Sequence, residues 1–142
     1  MAISGFERLH VYRLSGKLSD LIWEIVAGWN PFARNTVGAQ FVRAADSVGA
    51  NIAEGSGRGT HPDHRRFIRI ARGSLLETRH WVQRAHVRQL LTDDEFEKLD
   101  TLLNELGPRL NAYLRSIGVP KQQRPHEVAK PPTDEVKGAN NE

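Results

Sequence analysis

The chain has 142 residues, enough for one domain with a buried core and too few for two ordinary domains. Its 39% hydrophobic and 26% charged residues are typical of a folded globular protein, and the absence of cysteine excludes disulfides, thiolate catalysis and cysteine zinc sites. The net charge of +3 conceals a bias, because fifteen of the twenty basic residues are arginine, the side chain best suited to forked contacts with phosphate or carboxylate.

The start of the chain has no targeting pattern. Its first ten residues contain no basic segment followed by an apolar run, and no part of the chain approaches about 18 consecutive apolar residues. We therefore expect a cytoplasmic protein with no membrane partner.

The first two segments have helical spacing. In the first, one apolar stripe recurs at steps of three and four: Val11, Leu14, Leu18, Leu21, Ile25 and Trp29. Asn30-Pro31 ends this helix. The second helix is predicted to begin at an N-cap, Asn35 or Thr36, and to bury one face: Val37, Phe41, Ala45, Val48 and Ile52.

The next two segments have clear helix starts. Thr60 precedes the third, with Pro62 in the first turn, and the predicted buried face is Phe67, Ile70, Ala71, Ser74, Leu75, Thr78, Trp81, Val82 and Ala85. Thr92 and Glu95 form a capping box for the fourth, whose apolar stripe runs from Phe96 to Ile117. Gly107-Pro108 is predicted to interrupt and kink this last helix.

No segment alternates as a strand would. Four helices joined by short turns bury their stripes by packing antiparallel, so the predicted fold is all-α, an up-down-up-down four-helix bundle over residues 1–118. Residues 119–142 hold four of the seven prolines and no aromatic residue, and are predicted to be a disordered or flexible tail.

The stretch "ANIAEGSGRGT" from Ala50 to Thr60 resembles a phosphate-binding loop only superficially. It lacks the preceding strand and the following Lys-Ser/Thr pair that a nucleotide loop requires. We expect a structural turn instead, in which Gly55, Gly57 and Gly59 supply positive-φ positions.

A polar stripe borders the apolar face of the second helix. Its members lie within about 60° on a helical wheel: Gln40, Arg43, Ser47, Asn51 and Glu54. The stripe is either solvated or, because small residues border it, part of a packed polar network or a subunit seam.

Three segments together resemble a known family. They are "FERLHVYRLSGKL", "QFVRAADSVGANIAEGSGRGT" and "RRFIRIARGSLLETRHWV", and they are similar to the bacterial four-helix bundle family first associated with 23S rRNA intervening sequences. The signature positions that we single out are Arg43, Asn51, Glu54 and Gly55. This sequence has Gly49 where the family commonly has proline.

The resemblance implies an antiparallel four-helix bundle that assembles as a homopentamer. It implies no enzymatic activity and no cofactor. A related bundle, the accessory protein of diversity-generating retroelements, binds nucleic acid and partners a reverse transcriptase, so both are candidate partners here.

The third helix carries the strongest candidate site. Residues 58–88 contain eight arginines and two acidic residues, and Arg65, Arg69, Arg72 and Arg79 lie within about 80° on one face. With Arg58 and Arg66 they are the predicted nucleic-acid contacts, because aligned guanidinium groups neutralise phosphates. The alternative is a solvated face paired with acidic residues from the start of the fourth helix.

Other chemistry has little support. His61 and His64 lack the partners of a metal site, and Ser47 and Ser74 have no His-Asp arrangement, so we predict no catalytic and no metal-binding residues. The leading hypothesis is a non-enzymatic homo-oligomeric bundle that binds RNA or DNA. The alternative is a protein-interaction scaffold or accessory subunit whose arginines meet an acidic partner such as a reverse transcriptase.

Overall fold

The computed structural model describes residues 5–120 and residue 123, apart from the side chain of Phe6, and these residues are almost entirely helical. The helices are α1 (Gly5–Ala27), α2 (Pro31–Ala33), α3 (Ala39–Ser56), α4 (His61–Val87) and α5 (Asp93–Ser116). A π-helical turn, Arg34–Gly38, joins α2 to α3, so residues 31–56 form one continuous rod. Nearly all of the predicted tail lies outside the described residues.

The four rods are antiparallel neighbours around one core. Contacts between neighbouring rods pair rising residue numbers on one with falling numbers on the next: Ser15 and Ser19 of α1 meet Gly49 and Asp46 of α3, and His64 and Arg79 of α4 meet Tyr113 and Asn104 of α5. Ser47 of α3 likewise contacts Ser74 of α4. The predicted up-down-up-down bundle is confirmed. Among the described residues, no helix is both long enough and apolar enough to span a bilayer.

The core contains an apolar stripe from every rod. Its fully buried side chains include Leu18, Ile22, Phe41, Ile52, Ile68, Leu99, Leu103, Leu106, Leu110 and Tyr113. In α4 the predicted stripe is wrong at one position, because Ile68 is 0% exposed whereas Ile70 is 41% exposed. Ile68 lies three and seven residues before the buried Ala71 and Leu75, the spacing that keeps side chains on one helical face.

The start of the second rod differs from the prediction. Neither Asn35 nor Thr36 is the cap: the side chain of Asn30 accepts a hydrogen bond from the Ala33 amide at 3.0 Å, and Pro31 lies in the first turn. The second rod therefore starts five residues before Asn35, and the additional residues include the π-helical turn, Arg34–Gly38.

The glycine turn also differs from the prediction. Gly57 has a φ of −89°, and Gly118, with a φ of 77°, is the glycine with positive φ among the described residues. The expected positive φ at Gly55, Gly57 and Gly59 is wrong. Gly55 lies inside α3, where a Cβ would stand 2.9 Å from the Cβ of Phe67, so its function is the close approach of α3 to α4.

Both predicted caps are confirmed. The Thr60 side chain accepts from the Asp63 amide at 3.3 Å, and Thr92 and Glu95 form a complete capping box with bonds of 2.9 and 3.1 Å. The predicted interruption at Gly107-Pro108 is wrong, since α5 continues through both residues. Pro108 and Asn104 are exposed, so the carbonyl that loses its helical donor is at the solvent side of the helix.

Candidate polyanion-binding surface

Arginines from α4 and the turn before it form a basic surface at one end of the bundle. We define this surface by five residues: Arg58, Arg65, Arg66, Arg69 and Arg72. Between Asp63 and Glu77 the chain contains no acidic residue. The positive charge of this segment must therefore be balanced, if at all, from elsewhere in the fold.

Two of these arginines are held against one aromatic ring. The guanidinium carbons of Arg58 and Arg66 stand 4.4 and 4.6 Å from the centre of the Phe67 ring. Arg66 donates to the Asp63 carboxylate at 2.8 and 3.0 Å, and Arg58 donates to Glu54 at 2.6 Å. Two arginines and two carboxylates thus form a locally neutral cluster whose guanidinium groups have restricted orientations.

Arg65 connects α4 to the end of α5. Its Nη1 donates to the Ile117 carbonyl at 3.0 Å, a favourable position for a cation because helix carbonyls at the C-terminus carry partial negative charge. A Cβ at the following Gly118 would stand 2.7 Å from the same Nη1. Arg65 is therefore half-buried and hydrogen-bonded, but no carboxylate neutralises it among the described residues.

Arg69 and Arg72 have a different environment. Both are exposed on α4, and within the described part of the chain neither makes an ion pair or a side-chain hydrogen bond. Since a surface guanidinium without a carboxylate partner keeps its full charge for an external anion, these two residues form the uncompensated centre of the basic surface.

Arg79 turns away from the predicted set. Its guanidinium stands 3.6 Å from Asp100 and donates to the side-chain oxygen of Asn104 at 3.1 Å. Further along, the His86 ring stacks on Phe96 at 3.9 Å, with its Nε2 3.7 Å from Asp93. The acidic start of α5 therefore faces the C-terminal half of α4 and supplies no carboxylate partner to Arg69 or Arg72 in the N-terminal half.

The polar stripe of the second rod divides into two parts. Asn51 donates to the backbone and side-chain oxygens of Ser47 at 2.8 and 3.0 Å, and Ser74 of α4 donates to the same Ser47 hydroxyl at 2.9 Å. These three half-buried residues form a packed polar network between α3 and α4. Arg43 and Glu54 are exposed, as in the solvated alternative.

Sequence reasoning missed one polar pair beneath the basic surface. The His64 Nε2 lies 2.9 Å from the hydroxyl of the buried Tyr113. Burial, followed by the charges of His61, Arg8 and Arg65, lowers the pKa of His64, and burial raises the pKa of Tyr113 to about 12. The signal that could have found the pair was the antiparallel register, which brings the start of α4 beside the end of α5.

No cluster of three or more potential metal-ligating His, Asp or Glu residues occurs among the residues that the structure describes. Polar contacts fix the guanidinium groups of Arg58, Arg65 and Arg66, whereas those of Arg69 and Arg72 are open to solvent.

Comparison with known proteins decides the family. The family model described as 23S rRNA-intervening sequence protein matches residues 7–112, about three quarters of the chain. The chain belongs to this family. The resemblance inferred from the three sequence segments is confirmed.

A solved structure of the same kind supports the fold. It is a crystal structure of a protein with unknown function from the S23 ribosomal protein family of Bacteroides thetaiotaomicron, with 20% sequence identity and a TM-score of 0.69. The similarity covers 78% of this chain and 99% of that one. The comparison with curated proteins finds no significant match. Membership of the 23S rRNA-intervening sequence protein family therefore agrees with the helical-bundle fold. A biochemical role has to be inferred from the surface residues of this chain.

Proposed function

We propose that this protein is a non-enzymatic, cytoplasmic bundle that binds RNA or DNA through the basic surface. The observation that carries the proposal is the pair Arg69 and Arg72, which are exposed and have no acidic partner among the described residues. Arg65 extends the surface along the same helix, about 10 Å from Arg72 by helical rise. Arg79, although predicted from sequence, is left out because Asp100 and Asn104 occupy its guanidinium.

The expected mode of binding is contact with phosphates. Guanidinium groups neutralise backbone phosphates and release counterions, which gives affinity that falls with salt and depends little on sequence. Base stacking has little support on this surface, since the Phe67 ring is already covered by Arg58 and Arg66.

We further propose that the bundle assembles as a homo-oligomer, with the pentamer that the family resemblance implies as the expected state. Exposed apolar side chains on α4 support self-association, because Leu76 and Val87 are 63% and 65% exposed. Light scattering across micromolar concentrations tests this proposal. A monomer mass throughout that range would refute it.

The alternative role is a scaffold or accessory subunit that binds an acidic protein, such as a reverse transcriptase. The observation that favours it is the exposed Ile70 beside Arg69, because a mixture of apolar and arginine side chains is typical of protein interfaces. Under this alternative the same basic surface would bind a folded acidic partner in preference to a flexible polyanion.

Fluorescence anisotropy with labelled 20-nucleotide RNA and DNA, at 50 and 200 mM salt, separates the two roles. The double variant Arg69→Glu/Arg72→Glu should weaken binding more than tenfold at the lower salt and reduce the salt slope by about two. The matched control Arg84→Glu/Arg88→Glu changes the net charge equally at the C-terminal end of α4 and its C-cap, and should have a much smaller effect. Equal losses in both variants would mean that net charge, not this surface, governs binding, and no binding at either salt would favour the scaffold.

A further inference from the structure

A groove separate from the basic surface lies between α1 and the second rod. Its volume is about 580 Å³, within the range of about 300–1,000 Å³ typical of small-ligand sites. Trp23 and Val26 of α1 form one wall, and Gly38, Ala39 and Val42 form the other. All of these residues are apolar, so the groove favours an apolar occupant.

The π-helical turn and small residues account for the shape of the groove. A Cβ at Gly38 would stand 2.7 Å from a methyl group of Val26, so the two helices approach closely at this point. Ala39 adds only a methyl group on the rod side, which leaves open space beside the Trp23 ring. Trp23 is 62% exposed, an unusual position for a large aromatic side chain on a helix that has a buried stripe.

Two arginines border the apolar walls. Arg34 lies at the start of the rod side of the groove and Arg43 lies about 13 Å further along the helix. Both are exposed, and neither has an ion-pair or hydrogen-bond partner among the side chains that the structure describes. The one carboxylate of the lining, Asp46, accepts a hydrogen bond from Ser19. With two guanidinium groups and one carboxylate in its lining, the groove combines apolar walls with a net positive charge.

We propose that this groove binds a small apolar anion, with the aromatic or aliphatic body against Trp23 and Val42 and the anionic group on Arg34. The charge complementarity selects an anion, and a charge-assisted hydrogen bond from a guanidinium is stronger than a neutral one. The limited apolar surface selects a small ligand over a protein partner, because stable protein interfaces bury roughly 800 Å² on each side. Trp23 is the large exposed apolar side chain of this lining. The exposed apolar side chains that support self-association, Leu76 and Val87, lie on α4 and outside the groove.

The test compares two dyes that share an aromatic body. The anionic dye 8-anilinonaphthalene-1-sulfonate should bind with one-to-one stoichiometry, and Arg34→Ala should weaken it about tenfold. The neutral analogue N-phenyl-1-naphthylamine should bind less tightly and be insensitive to Arg34→Ala. Arg13→Ala, which removes an exposed arginine from the other half of α1, is the matched control and should leave both dyes unchanged.

A second variant tests the walls of the groove. Ala39→Trp fills the space beside Trp23 and should abolish binding of both dyes, with a thermal melt to verify that the bundle remains folded. Equal affinity for the two dyes, or no effect of Arg34→Ala on the anionic dye, would overturn the proposal. An oligomer in light scattering that Ala39→Trp converts to a monomer would also overturn it, because the occupant would then be another copy of the chain.

Discussion

The two halves of α4 carry the same type of basic residue but have different neighbours. In the C-terminal half, Arg79 is 3.6 Å from Asp100 and His86 is 3.7 Å from Asp93, both from the first turns of α5. In the N-terminal half, Arg69 and Arg72 have no carboxylate partner in the described structure. The difference arises because α5 is antiparallel to α4 and its acidic residues are concentrated at its start, so α5 supplies a carboxylate to Arg79 and to His86 but to neither Arg69 nor Arg72.

Within the N-terminal half of α4 the two faces of the helix differ in packing, and the largest predicted effect tests that difference. Ile68→Ala should lower the free energy of unfolding by about 2–5 kcal/mol, because it leaves a cavity at a fully buried position. Ile70→Ala, the matched control two residues away, removes the same atoms from an exposed position and should cost far less. Urea denaturation of both variants measures the difference, and similar losses would contradict the assigned burial.

A smaller loss of stability is expected from a substitution in α3 where it packs against the N-terminal half of α4. Gly55→Ala should destabilise the bundle by about 1–3 kcal/mol, since its new methyl group would stand 2.9 Å from the Cβ of Phe67. Gly73→Ala, in the middle of α4, meets no atom within 4 Å and should stabilise by up to about 1 kcal/mol through its higher helix propensity. Chemical denaturation should therefore give opposite signs, and two losses of similar size would show that the close approach at Gly55 is not the cause.

His64, near the start of α4, should make the free energy of unfolding depend on pH. Because burial and nearby cations lower the pKa of His64 below its usual 6.5, the unfolded chain binds more protons than the folded chain in mildly acidic solution. The contribution of His64 is therefore most favourable above pH 6.5 and is lost as the pH falls towards its lowered pKa. Thermal melts from pH 7.5 to 5 should show a weaker decline for His64→Gln than for the unaltered protein. The exposed His80→Gln is the control, and an identical decline in all three proteins would contradict this origin.

The smallest effect concerns the ion pair of the C-terminal half. A double-mutant cycle of Arg79→Ala and Asp100→Ala should give a coupling of about 0.2–1 kcal/mol, because both side chains are more than one third exposed and water screens their attraction. The same cycle with Arg72 in place of Arg79 should give no coupling to Asp100. A coupling of equal size for Arg72 would mean that the acidic start of α5 also neutralises the basic surface.

Several features of the fold could be predicted from local pattern. The four apolar stripes, the Thr60 cap and the Thr92-Glu95 capping box depend on residues within one or two helical turns of each other, and they are confirmed except for the burial of Ile70. One error was also local, since Asn30 caps the rod through the Ala33 amide three residues on, with Pro31 in the first turn. Another arose at longer range: Gly55 proved to be a contact glycine because Phe67 of another helix packs on it.

The candidate site was only partly predictable for the same reason. The arginines are evident in the sequence, but whether each has a partner depends on residues far along the chain, such as Asp100 for Arg79 and Ile117 for Arg65. The groove beside Trp23 had no signal in the sequence, since the aromatic ring reads as one more apolar residue of α1 until its exposure is known.

By itself, the sequence determined that this chain forms four amphipathic helices and concentrates its arginines in the third, because helix periodicity, capping and composition are local properties. Only the tertiary structure decided which of those arginines have an acidic partner and which polar residues are buried. The register of α5 against α4 set which arginines are neutralised, and the packing of α3 on α4 placed Asn51 and Ser47 in a polar network while it left Arg43 exposed. Electrostatic partners come from whatever lies within a few ångströms, and for Arg65 and Arg79 that neighbour belongs to another helix or its end.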